Sequence, residues 1–560
     1  MGQGGAELRG LARVSGRGAP GLLPGSLLPA RGRCGEHGGL LGFRDLGLTR
    51  LSPLLGVRTM LGTATVMLGD RMIVTSDVGR PWEVDPITLE LVTPLGKLDE
   101  WQGAVPAPWL FPLVLTSAHP AEDRATGELF TANYAAIGSG GAFFQLVRWR
   151  GPGALEHFQP VDDHGEPVLI EQCVHQIAVT REYVILQDSA FLFEMRQMAM
   201  DALQGLIPGV ALRGLLGGRG MLAQRPTSVF HIIRRRDLAG GGGPVDAPRP
   251  VPSVRVEIPG ESVHFFAQYE DDDGALTLIV PHTPTLDVSE CIRRGDRMLD
   301  GGRADEFAGL PAPCALTPGT IAVHTVDPRS GAVRSTRTVV GEQLWGLGLA
   351  TRAPEDPRRP LEVVFFNTSG FFRELVPQRV VKAYAGRVDE ALMPDGRSPH
   401  LLAFEVASGE LTDYMCPNGW ALLSPVFVPR RGDPTERAGY VVCVAHAAAN
   451  VPREVDTSGE ELWIFASEDI ARGPICRLGH PALDFSFTVH ATWVAALRAS
   501  PRDYRVAIAE DLDLDWVVQR SFGAASFWGS FSAAVGMAMQ HDVVGRLLAE
   551  HVFPRFARDE

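Results

Sequence analysis

The feature that most constrains this chain is a recurring unit of short apolar or β-branched runs closed by turn signals. "TATVMLGDRMIVTS", "REYVILQD", "GALTLIVPHT", "GTIAVHTVDP", "LEVVFFNTSG", "PHLLAFEVASGEL", "GYVVCVAHAA" and "ELWIFAS" follow one another from residue 61 to beyond residue 460. D-G, N-G, D-P and S-G pairs punctuate them. Runs of this composition fit a pleated, half-buried surface, and turns of this chemistry close antiparallel hairpins. The chain's 62 glycines and 42 prolines agree with many tight turns. No strict repeat is visible. Yet "WEVDPITLELVTPLG", "HTVDPRSGAVRS" and "FEVASGELTDY" share one grammar: a strand, an acidic or polar residue, Pro or Ser-Gly, and another strand. Repetition of that unit without helices between favours an all-β fold, a β-propeller over a sandwich.

At 560 residues the chain has room for several domains of ordinary size, about 150 residues each, or for one large all-β domain with insertions. Hydrophobic residues make up 45% and charged residues 21%, enough to bury a large core. Residues 1–60, rich in Gly, Arg, Leu and Pro without periodicity, read as a poorly defined leader. Residues 61–493 carry the β grammar. Two segments break it. Residues 191–224 are rich in Met, Leu and Ala and are interrupted by Pro208, which suits a helical cap insertion. Residues 494–560 form a C-terminal extension with an amphipathic helix expected over 527–556. "GGGG" at 240–243 reads as a loop within the domain.

The net charge of −14 argues against a nucleic-acid partner, which calls for a basic face. Arg234, Arg235 and Arg236 read as a solvated face. Seven dispersed cysteines (Cys34, Cys173, Cys291, Cys314, Cys416, Cys443 and Cys476) form no CxxC pair, the pattern of reduced thiols in a cytoplasm. No basic n-region followed by an apolar h-region marks a signal peptide, and no apolar run is long enough to span a bilayer.

Among 15 histidines, a lone one beside apolar residues is more often packed than ligating. Four have distinctive settings. His119 ends a strand in "TSAHPAEDRATGEL". His175 begins one in "CVHQIAVTREYVILQD". His264 opens a strand–turn–strand unit in "SVHFFAQYEDDDGALTLIV". His490 is expected inside a strand in "FTVHATWV". Each lies tens of residues from the next, unlike a zinc finger or an HExxH helix. A propeller brings the inner strands of its blades to one axis, where four such side chains would meet. Imidazole ligands suit Fe, Cu, Ni and Zn. With no thiolate nearby, iron and oxygen chemistry comes into view, though spacing alone does not single out these four.

In the order quoted, "AHP" with "TGEL", "VHQIAVTREYVILQD", "VHFFAQYEDDDG" and "LDFSFTVHATWV" give the chain a resemblance to the carotenoid cleavage oxygenases. That family includes apocarotenoid and lignostilbene dioxygenases and the retinoid isomerase of the retinal pigment epithelium. The resemblance runs over about residues 61–493, and the last piece is similar to the family's F-x-x-H-G-x-W motif, with Ala491 for Gly. It implies a seven-bladed β-propeller with helical and loop caps over one face. It implies Fe(II) held by His119, His175, His264 and His490, with O2 as co-substrate. The implied reaction splits a carbon–carbon double bond of a carotenoid, apocarotenoid or stilbenoid into two carbonyls.

Family glutamates orient three of the ligands. The resemblance carries their places to Asp77, Glu374 and Ser424, the last in "SPVFVPR" where the family has Glu-Pro. A Ser424 hydroxyl would accept from an imidazole N–H without bringing charge. Loss of such partners commonly costs metal affinity or activity on the order of 10- to 100-fold. The resemblance also places a membrane or substrate-entry patch in the insertion. There Leu203, Leu206, Ile207, Leu212, Leu215 and Leu216 would meet lipid and Arg213 and Arg219 headgroups; a cap packed on the propeller is the alternative. A cytoplasmic protein with peripheral membrane contact is expected. A same-fold isomerase, or a catalytically weak propeller that binds lipid or serves as a scaffold, are the competing readings.

Overall fold

Three hairpins show how the turn residues direct the chain. The Asp85 carboxylate accepts from the amides of Ile87 and Thr88, each at 2.9 Å, and turns Trp82–Val84 back onto Leu91–Pro94. Asp327 accepts from the Arg329 amide at 2.9 Å and Gly331 takes φ +74°, joining Pro318–Val326 to Val333–Trp345. The "ASGE" turn closes His400–Glu405 onto Leu411–Met415. These are the three units that share the grammar described above.

The protein is described here from a computed structural model. It covers residues 44–45, 50–52, 56–59, 61–105, 109, 111–137, 141–190, 223–271, 274–287, 290, 292–293, 295–303, 305, 315–354, 356–433, 437–447, 460–481, 483, 488–512 and 549–550. The fold is all-β. Its described residues fall in two compact units that interleave in sequence. One holds His175–Asp237 and Pro252–Ala495; the other holds the described residues from Arg44 to Val174, Leu238–Val251 and those from Ala496.

In the second of these units the first blade is a four-stranded antiparallel sheet of Ala64–Leu68, Arg71–Thr75, Trp82–Val84 and Leu91–Pro94. The second blade runs through Ala121–Asp123, Glu128–Ala135, Phe143–Trp149 and Glu156–Val161, with Arg249–Pro252 added at its outer edge. The glycine run follows this blade's outer strand: Gly243 exchanges two backbone hydrogen bonds with His157 at 2.9 and 3.0 Å. A Cβ on Gly243 would lie 2.0 Å from the Ala247 carbonyl oxygen, so only glycine fits there. Strands Arg44–Asp45, Arg50–Ser52 and Gly56–Arg58 form a small separate sheet within the stretch whose composition suggested a leader.

The other unit contains four blades. The third is Ile177–Val179, Tyr183–Asp188, Thr227–Arg234 and Val254–Pro259; the fourth is Phe266–Ala267, Leu276–His282, Pro318–Val326 and Val333–Trp345. The fifth is Leu347–Ala353, Val363–Thr368, His400–Glu405 and Leu411–Met415; the sixth is Trp420–Pro429, Gly439–Ala447, Glu460–Ala466 and Cys476–Gly479. The core lies between neighbouring blades. Ile185, Phe230 and Val256 pack with Phe265, Leu276 and Leu278 between the third and fourth. Ile279 and Ile321 pack with Val364 and Phe404 between the fourth and fifth. Phe365 stacks on Phe427 between the fifth and sixth, ring centroids 6.3 Å apart and nearly parallel. Each such aromatic, fully buried, contributes roughly 1.5–3 kcal/mol of transfer free energy.

Six propeller blades are therefore present among the described residues, where seven were expected. The expected cap and entry patch, Leu203, Leu206, Ile207, Leu212, Leu215 and Leu216, and most of the 527–556 helix lie outside the described residues. Among those described, no helix is long and apolar enough to cross a membrane. His490 is a correction: residues 488–497 belong to no strand.

The start of the C-terminal extension is an integral part of its unit. Ser500 donates its amide to the Asp85 carboxylate at 3.1 Å, and its hydroxyl bonds Glu83. Asp503 pairs with Arg71, itself bonded to the buried Glu83 at 2.7 Å. The Tyr504 hydroxyl accepts from the Gly96 amide at 2.8 Å, and the Val506 amide donates to Thr93 Oγ1 at 2.9 Å. Asp511 takes Arg80 at 2.7 Å and the Leu98 amide at 2.5 Å. Tyr504 and Val506 fill the core beside Trp149 and Leu95. Residues 500–511 are thus a strap across the first blade.

Candidate metal centre

Three of the four singled-out histidines occupy equivalent places. His119, His175 and His264 each stand two residues before the first strand of a blade, Ala121–Asp123, Ile177–Val179 and Phe266–Ala267. Each imidazole thus leaves the chain just as it enters a blade. His490 lies within residues 488–497, which belong to no strand.

His175 and His264 point Nε2 at Nε2, 3.2 Å apart, with ring centroids at 5.0 Å. His264 and His490 meet edge to face with centroids at 5.1 Å. His119, which lies in the other unit, is the fourth histidine of the candidate set. Two nitrogens bound at about 2.1 Å to one ion stand about 3.0 Å apart at a right angle and about 3.4 Å apart in a tetrahedron. The 3.2 Å separation falls between these values.

Burial and the neighbouring rings hold His264 and His490 in the neutral form. His264 is held well below the usual imidazole range, first by burial and then by His175 and His490. His490 is pushed down to about 3, again by burial first and His175 second. Neutral imidazoles present lone pairs, the form a metal takes. The donors are all nitrogen, which suits a borderline transition metal rather than Mg or Ca. The residues therefore fit an iron-class ion.

The expected supports stand in different places. Asp77 is buried, and its carboxylate lies 4.0 Å from the Cys173 thiol, which also meets the Tyr134 hydroxyl at 3.0 Å. Burial, then Cys173 and Asp77, raise the Tyr134 phenol well above its usual range. Glu374 lies half-buried in the short turn Arg373–Leu375, beside Phe371 and Val376, and bonds none of the four histidines among the described residues. Ser424 is buried and its hydroxyl donates to the Val489 carbonyl at 2.8 Å, next to His490 in sequence. It serves the ligand's backbone rather than its ring.

Two features escaped sequence reading. Gln176, directly after His175, donates its side-chain amide to the Phe265 carbonyl at 2.6 Å and accepts from the Phe265 amide at 3.2 Å. His282 and His324, with Nε2 atoms 3.4 Å apart, form a second buried pair. No third His, Cys, Asp or Glu completes a metal set around that pair among the described residues, and His324 bonds the Thr336 hydroxyl. Their partners are distant in sequence, 89 residues for Gln176 and Phe265 and 42 for His282 and His324, so no local pattern reveals them.

The blades and the histidine group define a propeller with a candidate metal centre. The family model described as retinal pigment epithelial membrane protein (RPE65) matches residues 52–495, and the chain belongs to that family. The family includes non-haem iron oxygenases. No curated protein matches the sequence. Similar solved structures include the lignostilbene dioxygenase of Pseudomonas brassicacearum, 17% identical, covering 78% of this chain and 76% of that one with a TM-score of 0.47. A variant of the apocarotenoid oxygenase of Synechocystis is 16% identical over 78% and 75% of the two chains, with a TM-score of 0.48.

Proposed function

We propose that this protein is a non-haem Fe(II) dioxygenase that cleaves a carbon–carbon double bond of a carotenoid, apocarotenoid or stilbenoid to two carbonyl products. His119, His175, His264 and His490 would hold the iron. The convergence of His175 and His264 at 3.2 Å, Nε2 to Nε2, carries this reading, together with family membership. Bound iron supplies the centre at which O2 is activated beside the substrate. The four imidazoles would hold that centre through nitrogen donors, without a carboxylate or thiolate among the ligands. The protein's remaining tasks are to orient an extended apolar molecule and to exclude water. No side chain is required as a general base.

The same reading gives the propeller seven blades, with the small sheet at 44–58 as a candidate part of the seventh. It gives the protein a cytoplasmic place and a peripheral membrane contact through Leu203, Leu206, Ile207, Leu212, Leu215 and Leu216. One observation favours a second reading, a catalytically weak lipid-binding propeller: neither Glu374 nor Ser424 places a hydrogen bond on a ligand ring. The test is anaerobic loading with Fe(II), then exposure to O2 with a panel of apocarotenals and stilbenes. Bleaching with two carbonyl products per substrate supports the dioxygenase. Tight binding of the panel without products supports the second reading.

A further inference from the structure

Three side chains beside the ligands place hydrogen bonds on the main chain next to them. Gln176 grips both polar atoms of the Phe265 peptide, so one side chain locks the residue after His175 to the residue after His264. The Ser262 hydroxyl donates to the His264 carbonyl itself at 2.6 Å. Ser424 holds the carbonyl next to His490 at 2.8 Å.

Ser424 does so under strain. It has φ +51°, a conformation shared by only two other non-glycine residues among those described, Leu89 and Thr285. It lies where the first strand of the sixth blade slips register, between Leu423 and Val426. Bulges and left-handed non-glycine residues concentrate beside functional sites, where they aim a side chain. Here the strained residue aims its hydroxyl at the backbone beside His490.

We propose that Gln176, Ser262 and Ser424 are positioning residues that set the ligand geometry through the main chain with uncharged groups. This rests on the reading of the histidines as metal ligands. A main-chain tether fixes where a ring originates, whereas a carboxylate on the ring fixes its rotation and raises its basicity. Tethering by neutral groups adds no negative charge to the centre.

The fold supplies its own control. Gln268 grips the Leu361 peptide in the same two-point way, donating at 3.0 Å and accepting at 2.8 Å, and neither residue adjoins a ligand histidine in sequence. Gln176→Leu and Gln268→Leu therefore remove the same clamp, one adjoining the ligands in sequence and one not. Ser424→Gly removes a tether while relieving the strain, and so provides a variant that keeps the fold. Each protein is loaded with Co(II). The visible absorption, which reports coordination, and the rate of release to a chelator are measured beside the melting temperature.

We expect Gln176→Leu and Ser424→Gly to release Co(II) on the order of 10- to 100-fold faster than wild type with altered spectra. Gln268→Leu should lose comparable stability yet release at the wild-type rate. Release rates that follow melting temperature across all three variants overturn the inference, as does a Ser424→Gly protein that holds Co(II) like wild type. A wild-type protein that binds no Co(II) overturns the metal reading and this inference with it.

Discussion

Replacing Asp511 with alanine removes both acceptors at the far end of the C-terminal strap. One holds Arg80 at 2.7 Å and the other the Leu98 amide at 2.5 Å. The side chains of Arg80 and Asp511 retain 9% and 0% of their exposure, so the pair is desolvated and its loss leaves a buried cation. Breaking such a pair costs about 3–5 kcal/mol. The Leu98 amide adds about 1 kcal/mol. Arg80 keeps one acceptor, the Gly96 carbonyl at 2.9 Å, which offsets part of the loss. We therefore expect a net destabilisation of about 3 kcal/mol, or a fall of roughly 6–12 °C in the melting temperature of a unit of this size. Scanning calorimetry measures it, and limited proteolysis near residue 500 should accelerate in parallel. Arg80→Met combined with Asp511→Leu removes both charges and should recover part of the stability. An Asp511→Ala protein that melts with wild type and resists protease equally would refute a docked strap.

Three further outcomes follow from the structure. Phe365→Ala opens a cavity between the fifth and sixth blades and should cost about 3–5 kcal/mol in urea unfolding, with metal bound per folded chain unchanged; a cost under about 1 kcal/mol would contradict the packing described. The buried His231 and His282 have pKa values pushed down to about 4 by burial, so between that value and about 6.5 the unfolded chain binds more protons than the folded one. Stability of the metal-free protein should therefore fall as pH drops through that window, by up to about 1.4 kcal/mol per pH unit for each histidine, and stay flat on their account above it; urea midpoints constant from neutral pH down to pH 4 would disprove it. Gly243→Ala should destabilise the edge of the second blade, because its Cβ meets the Ala247 carbonyl; an unchanged melting temperature would show that the loop there is not seated as described.

The strands were legible because their signals are local. Asp85, Asp327 and Gly409 each place turn chemistry between two apolar runs, and each closes the hairpin expected. His175 and His264 were placed at the start of strands for the same reason, whereas His119 was read at a strand's end and stands instead two residues before Ala121–Asp123. His490 was misread as a strand residue because "SFTVHATWV" has the composition of a strand. Composition does not say whether a neighbouring strand is there to pair with it. Glu374 came from the resemblance alone, since nothing in its local sequence marks it as a partner of a histidine. The strap was opaque because its contacts are polar and distant: Asp511 meets Arg80 across 431 residues. Gln176 looked like an ordinary polar residue in a strand, because its partner is a peptide 89 residues away.

The central claim is that four histidines hold one iron. Its most direct test is the iron content of anaerobically purified protein after loading with Fe(II) and removal of unbound metal, for wild type and for His264→Ala. The account predicts iron equimolar with the wild-type chain and little in the variant, with both proteins folded by circular dichroism. Iron absent from wild type, or retained equally by His264→Ala, would contradict it.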